Sequence, residues 1–224
     1  MKQKAEQILS RSRSLGWVVE PLAREVLEAY SLPVSRYRWA KTPEDAVAAS
    51  RTIGYPVVVK VVSPEVIHKT EVGGVKVGLD SEADVTAAFS AMQKIPGFDG
   101  VLIDQMVSGT ELIVGSSHDS QFGPVILVGI GGTSVEIYRD VAMRLAPLSE
   151  KDAIDAMDSL RGKKLLSGYR GSRPVHLSRV ARMIARFSRA VMDMQESVES
   201  IDLNPVMCGP EGAVIADARI MLRT

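Results

Sequence analysis

Cysteine is almost missing from this sequence. The single thiol, Cys208 among 224 residues, excludes an internal disulfide framework and any metal site assembled from several cysteines. No charge of one sign dominates either: 27 Lys and Arg balance 27 Asp and Glu, so no global field recruits nucleic acid or an acidic lipid surface. Long apolar runs are lacking too. Stretches such as Pro124 to Ile130 are far too short to span a bilayer. The opening MKQKAEQILSRSRSLGW has no apolar core long enough for a secretion signal. The expectation is a cytoplasmic protein that uses neither membrane nor nucleic acid.

What is present is ordinary globular material, 46% apolar and 24% charged, in a chain long enough for one domain or two joined lobes. Residues 2–14 and 20–30 read as helices, the second opened by Glu20-Pro21 and closed by Ser31-Leu32-Pro33. A short strand is expected at 33–40. Thr42-Pro43-Glu44-Asp45 then starts a helix, with a capping hydroxyl, a proline in the first turn and acids facing the dipole. Val57–Val62 is a β-branched run around one lysine, read as a buried strand. Gly74–Leu79 is a second strand, and Ser81 with Asp84 opens a helix to about Lys94. Strands are expected at 101–107, 110–116 and 124–130, and Ser149 caps a helix from Glu150. Leu177, Val180, Ile184, Phe187, Val191 and Met194 recur at helical spacing and mark a core-facing helix. Two last strands, 197–207 and 213–222, flank the turn at Pro210-Glu211. Helices and strands mixed in this way imply one compact α/β unit.

Three segments carry chemistry. The first is VVVKVVSPEVIHKTEVGGVKVGL, residues 57–79. Lys60 inside an apolar strand needs a negative partner, because an unpaired buried ammonium is costly. The glycines Gly73 and Gly74 could let backbone N–H groups approach phosphate oxygens. This is not the P-loop pattern, since the GK[ST] ending and the following helix are both missing. His68 lies in the same loop, where an imidazole beside phosphate can act as a nucleophile. The other two histidines, His118 and His176, are read in a turn and at a helix start and are left as surface residues.

The second is the C-terminal hairpin. Asn204 and Asp217 are symmetric about Pro210-Glu211, so a regular antiparallel hairpin sets them opposite each other. Asp202 shares the face of Asn204 through the strand period. Oxygen donors converging in this way point to magnesium or manganese, with substrate phosphates completing the shell. The third segment, Asp104-Gln105-Met106-Val107-Ser108-Gly109-Thr110-Glu111, is a strand, a turn and a strand. Its backbone could hold an adenine, with Glu111 placed for ribose hydroxyls.

These segments together resemble the ATP-grasp superfamily, in particular the nucleotide-binding part of ADP-forming acyl-CoA synthetases. The similarity lies in GYPVVVKVVSPEVIHKTEVGGVKVGL, GTELIVGSSHDSQFGPVILVGIGG, RDVAMRLAPLSEKDA, LLSGYRG and SIDLNPV with ADARI, in the family's order from about residue 20 to the C-terminus. The resemblance implies an ATP-grasp fold of two lobes with a nucleotide cleft between them. N-terminal helices would occupy 1–30, a smaller nucleotide-binding lobe 31–107 and a larger lobe with the metal-binding hairpin 108–224. It implies that Lys60 holds nucleotide phosphates, that Gly73 and Gly74 let the loop close, and that Gln105, Met106 and Val107 form the adenine hinge. Glu111 would bind ribose, and Asn204 and Asp217 would ligate Mg2+. His68 falls on a transient phosphohistidine, and Asp202 on an acid that steadies an imidazole. The implied cofactors are ATP or ADP with Mg2+, and the implied partner is a CoA-binding ligase α chain, because nothing in 224 residues looks like that half of the enzyme. One departure is Thr133-Ser134, where relatives carry bulkier apolar residues. An ATP-grasp carboxylate ligase would use the same lysine, glycines and metal pair without His68. A non-catalytic nucleotide sensor would need neither His68 nor the metal pair.

Overall fold

The structure, a computed structural model, describes residues 2–132, 140–169 and 173–223. Thr133 and Ser134, and Arg139, Arg170 and Gly171 of the family-like motifs, lie outside the described residues. The chain divides into two compact units, one of Met1–Val18, Leu22–Val34 and Ser108–Thr224, the other of Val19–Pro21 and Ser35–Val107.

The smaller unit is a four-stranded antiparallel sheet with two helices. Its elements are β2 (Tyr37–Ala40), α3 (Pro43–Ile53), β3 (Val57–Val61), β4 (Val75–Leu79), α4 (Glu82–Met92) and β5 (Val101–Gln105), in the strand order β2-β5-β3-β4. Both helix starts form as the sequence dictates: Thr42 accepts from the Asp45 N–H at 3.1 Å and Ser81 from the Asp84 N–H at 3.2 Å. Val57, Val59 and Val61 pack with Val101 and Ile103 against Ala46, Ile53, Val85 and Phe89. Because side chains alternate along a strand, Lys60 falls on the opposite face. β3 lies inside the sheet, not at an edge, and Lys60 is buried.

The larger unit carries α1 (Lys2–Ser12), β1 (Trp17–Val18), β6 (Thr110–Asp119), β7 (Gly123–Ile130), β8 (Val141–Leu145), α5 (Glu150–Asp158), α6 (Leu177–Met194), β9 (Val198–Gly209), β10 (Gly212–Ile215) and β11 (Arg219–Leu222). The helix α2 (Glu20–Ala29) begins within the segment Val19–Pro21 and continues into the larger unit. The sheet order is β1-β11-β9-β6-β7-β8, with β10 paired to β9. α6 buries its stripe as spaced: Val180, Ile184, Phe187, Val191 and Met194 join Leu112, Val114, Ile126, Ile201 and Leu203 in one core. Among the described residues no helix is long and apolar enough to cross a membrane.

Three expectations change. The long segment of the smaller unit starts at Ser35, not at residue 31, and Val19–Pro21 joins it from earlier in the chain. The reason is that Leu32 is buried in the larger core and Ile215 N–H donates to the Pro33 carbonyl at 2.8 Å. The expected strand 213–222 is interrupted. The Ala216 N–H donates to the Pro205 carbonyl at 3.0 Å, but proline has no N–H to continue the ladder. β8 and β1 were not anticipated; β8 lies at the edge beside β7, where Leu127 faces Met143.

Candidate functional site

In the smaller unit Lys60 is the centre of a buried polar cluster. Its Nζ donates to Glu20 Oε1 at 2.9 Å and lies 3.3 Å from Asp104 Oδ2. Ser35 Oγ donates to Asp104 Oδ1 at 2.6 Å. The second oxygen of Glu20 lies 2.9 Å from Lys69 Nζ. Glu20, Lys60 and Asp104 are 5%, 6% and 2% exposed, so the two ammonium groups and two carboxylates compensate each other at close range. The negative partner that a buried Lys60 requires is therefore protein carboxylate. Sequence reasoning missed Glu20 and Lys69. An acid in the first turn of a helix has an adequate local explanation, and nothing in the spacing links residue 20 to residue 60.

Past β3 the chain runs through a loop that carries His68 and returns at Gly74. His68 is exposed, its Nδ1 4.0 Å from Glu71 Oε1. The loop is closed by its own backbone: Gly73 N–H donates to the Thr70 carbonyl at 3.1 Å and Gly74 N–H to the Lys69 carbonyl at 2.8 Å. Gly73 takes a φ of 68°, which favours glycine. A Cβ on Gly74 would stand 2.5 Å from Val61 Cγ1. These two amides are thus spent inside the loop, and the glycines serve its turn. This corrects the expectation that they present free N–H groups to phosphate.

At the end of β5, Gln105 is fixed from both sides. Its N–H donates to the Arg36 carbonyl at 2.8 Å, and its Oε1 accepts from Arg36 Nε at 3.2 Å. Met106 is exposed and Val107 half-buried.

In the larger unit Glu111 opens β6 with an exposed side chain. Gly131 N–H donates to the Glu111 carbonyl at 2.7 Å, and a Cβ on Gly131 would come to 2.7 Å of Glu111 Cβ. The glycine pair 131–132 is therefore the floor on which Glu111 rests.

The C-terminal strands keep one registration. β10 sets Gly212 opposite Gly209 and Ile215 opposite Val206, and β11 sets Arg219 opposite Asp202. Carried across the interruption, the same register sets Asp217 opposite Asn204. A bulge against β6, between the pairs Leu112↔Val206 and Val114↔Leu203, falls at Asn204-Pro205 and gives β9 one extra residue there. Asp202 is ion-paired with Arg219 at 3.0 Å. Its carboxyl is nonetheless held above the usual carboxylate range, chiefly by burial and further by the charge of Asp217, against the pull of Arg219. Asp217 is thus close enough to act on Asp202. Among the described residues no three His, Cys, Asp or Glu converge on a metal position, so a cation here would rest on Asn204 and Asp217 with ligand oxygens. The oxygen-only donors suit a hard cation that retains water or phosphate in its shell. Arg219 was not anticipated, although the hairpin register that pairs Asn204 with Asp217 also pairs it with Asp202.

The sequence profile of the ATP-grasp domain family matches residues 9–222. The chain is 37% identical to the acetate–CoA ligase [ADP-forming] I subunit beta of Pyrococcus furiosus, covering 98% of each. It is 42% identical to the 4-hydroxybutyrate–CoA ligase [ADP-forming] of Nitrosopumilus maritimus, over 99% of this chain but 33% of that longer protein. Among solved structures, it matches the dinucleotide-forming acetyl-coenzyme A synthetase 1 of Ca. Korarchaeum cryptofilum, in complex with coenzyme A, Ca-AMPCP and HgCl+. The TM-score is 0.91 with 40% identity, over 98% of this chain and 100% of that one. The same synthetase with coenzyme A and Mg-AMPPCP, its phosphohistidine segment pointing towards the nucleotide-binding site, matches with a TM-score of 0.86 and 38% identity, over 98% and 100%.

Proposed function

This chain belongs to the ATP-grasp family, and we propose that it is the nucleotide-handling subunit of an ADP-forming acyl-CoA synthetase. The single observation that carries the reading is the two-way coverage with a free-standing β subunit, 98% of each chain. This chain spans a third of the longer Nitrosopumilus relative. The CoA-binding portion would here be a separate α chain, in the cytoplasm. The net reaction is acyl-CoA + ADP + phosphate ⇌ carboxylate + ATP + CoA.

In this reading each residue has a defined task. Lys60 neutralises phosphate charge, and the loop closed by Gly73 and Gly74 brings His68 to the transferring group. Gln105, Met106 and Val107 hold the adenine, and Glu111 takes the ribose hydroxyls. Asn204 and Asp217 would hold Mg2+, which when bound neutralises the nucleotide phosphates. His68 attacks the phosphorus of an acyl phosphate, forming a P–N bond as the P–O bond to the carboxylate breaks. A terminal oxygen of ADP then attacks the same phosphorus, the P–N bond breaks, and ATP is formed. Asp202 steadies the imidazole during both transfers; its partner in the present structure is Arg219. Charge neutralisation and positioning are most of what protein groups can contribute to such a transfer.

The test is reconstitution. The chain mixed with its CoA-binding partner, a carboxylate, CoA and Mg-ATP should yield acyl-CoA with ADP and phosphate in equal amounts. The chain alone should yield none. Formation of AMP, or synthesis by this chain alone, overturns the proposal.

A further inference from the structure

Glu20 has no part in the reaction as described, yet each of its two carboxylate oxygens meets a different lysine. One oxygen receives Lys60 at 2.9 Å and the other lies 2.9 Å from Lys69. Lys60 is the proposed phosphate ligand, and Lys69 is the peptide neighbour of His68. Lys69 is also the residue whose carbonyl receives the Gly74 N–H, so its backbone closes the loop while its side chain anchors it. A loop with an exposed histidine at one position and a largely buried, ion-paired lysine at the next is pinned beside its histidine. We propose that Glu20 is a positioning residue. Through Lys69 it fixes the loop that bears His68, and through Lys60 it ties that loop to the phosphate-binding strand. The consequence for catalysis rests on the function proposed above; the tether does not.

The physical reason for such a device is economy of freedom. A nucleophile on a loop must be held near its target to gain the advantage of proximity. An exposed imidazole has little packing to hold it. Elsewhere between Val61 and Gly74 the chain is held near its ends and at the buried Val66. Val61 N–H donates to the Gly74 carbonyl at 2.8 Å, and Ser63 Oγ donates to the Pro96 carbonyl at 2.7 Å. Past Val66, Lys69 is tied to the unit by its ion pair with Glu20. Because both ammonium groups share one carboxylate, anything that displaces Lys60 from Glu20 is felt at Lys69.

Two variants test this from opposite sides, Glu20→Gln and Lys69→Met, with the double variant closing the cycle. Hydrogen exchange of the peptide covering residues 62–74 reads the tether in the isolated chain, whatever reaction it performs. Each single variant should speed exchange of the Gly73 and Gly74 amides about tenfold or more, and the double variant should add little to Lys69→Met. Unchanged exchange in Lys69→Met, or effects that simply add, overturns the inference. The functional readout uses the complex with the CoA-binding partner. Lys69→Met should lower the rate of phosphorylation at His68 about tenfold while Mg-ADP affinity stays within about twofold, a split that general destabilisation does not produce. Equal loss of both, or loss of neither, overturns the positioning role. If the wild-type complex carries no phosphohistidine at all, the proposed function fails, and the exchange cycle alone decides the tether.

Discussion

Asp202 and Arg219 meet at 3.0 Å across β9 and β11, in the registration that, two residues further on, sets Asn204 against Asp217. Three causes act on the Asp202 carboxyl: burial raises its pKa, Arg219 lowers it, and Asp217 raises it.

A carbon-detected titration of Asp202 should therefore show its inflection above 3.8, the ordinary value. Asp217→Asn should move the inflection down and Arg219→Ala should move it up. The linkage has a definite sign. With the folded value raised, Asp202 contributes stability below its unfolded value, and that contribution is lost as pH rises through the folded value. Asp202→Asn should accordingly gain stability relative to the wild type as pH rises through that window. An inflection indifferent to Asp217→Asn would mean that the two carboxyls do not share a site.

Lys60→Ala leaves Glu20 and Asp104 facing each other without the cation between them. Breaking a buried pair by removing one partner costs about 3–5 kcal/mol, so a large drop in chemical-denaturation stability is expected. Lys60→Arg keeps the charge and should lose less. Nucleotide affinity should fall in Lys60→Ala when measured well below its melting transition. A stability loss within about 1 kcal/mol, the scale of an exposed pair, would contradict the buried cluster.

How far the sequence revealed this site depended on whether a local rule governed the residue. Caps at Thr42, Ser81 and Ser149 and the stripe of α6 follow from short-range spacing, and the structure has them where expected. The hairpin register followed from counting outward from Pro210-Glu211, and it would have given Arg219 as well. Glu20 was out of reach, since its partners lie 40 and 49 positions away in sequence and only the folded sheet brings them near. The need of Lys60 for an anion was legible, but whether that anion is ligand or protein was not. The Gly73-Gly74 pair misled for a related reason. A glycine pair marks a tight backbone without saying whether its amides face outward or, as here, close the turn.

Gly131→Ala would drive a methyl to 2.7 Å of Glu111 Cβ and 3.0 Å of its carbonyl carbon. Overpacking of this kind costs about 1–3 kcal/mol, and the start of β6 must shift to relieve it. Mg-ADP binding should weaken in calorimetry, as in Glu111→Ala, and the double variant should lose less than the two losses combined. Wild-type affinity in Gly131→Ala would remove Glu111 from the nucleotide site.

Cys208 is buried on β9, and burial pushes its thiol up to about 12. A thiol-specific reagent at about pH 8, where an ordinary cysteine is partly thiolate, should modify it only as fast as the protein opens. The labelling rate should rise with denaturant in step with unfolding. Prompt stoichiometric labelling of the native chain would contradict this placement.

The most direct measurement is transfer of label from γ-labelled ATP, with magnesium and the CoA-binding partner present, onto this chain resolved from its partner. The wild type should carry an acid-labile, base-stable phosphate, as a phosphoramidate does, and His68→Ala should carry none while binding Mg-ATP as before. A wild-type chain that stays unlabelled in the complex, or a His68→Ala chain labelled equally, contradicts phosphoryl transfer through His68.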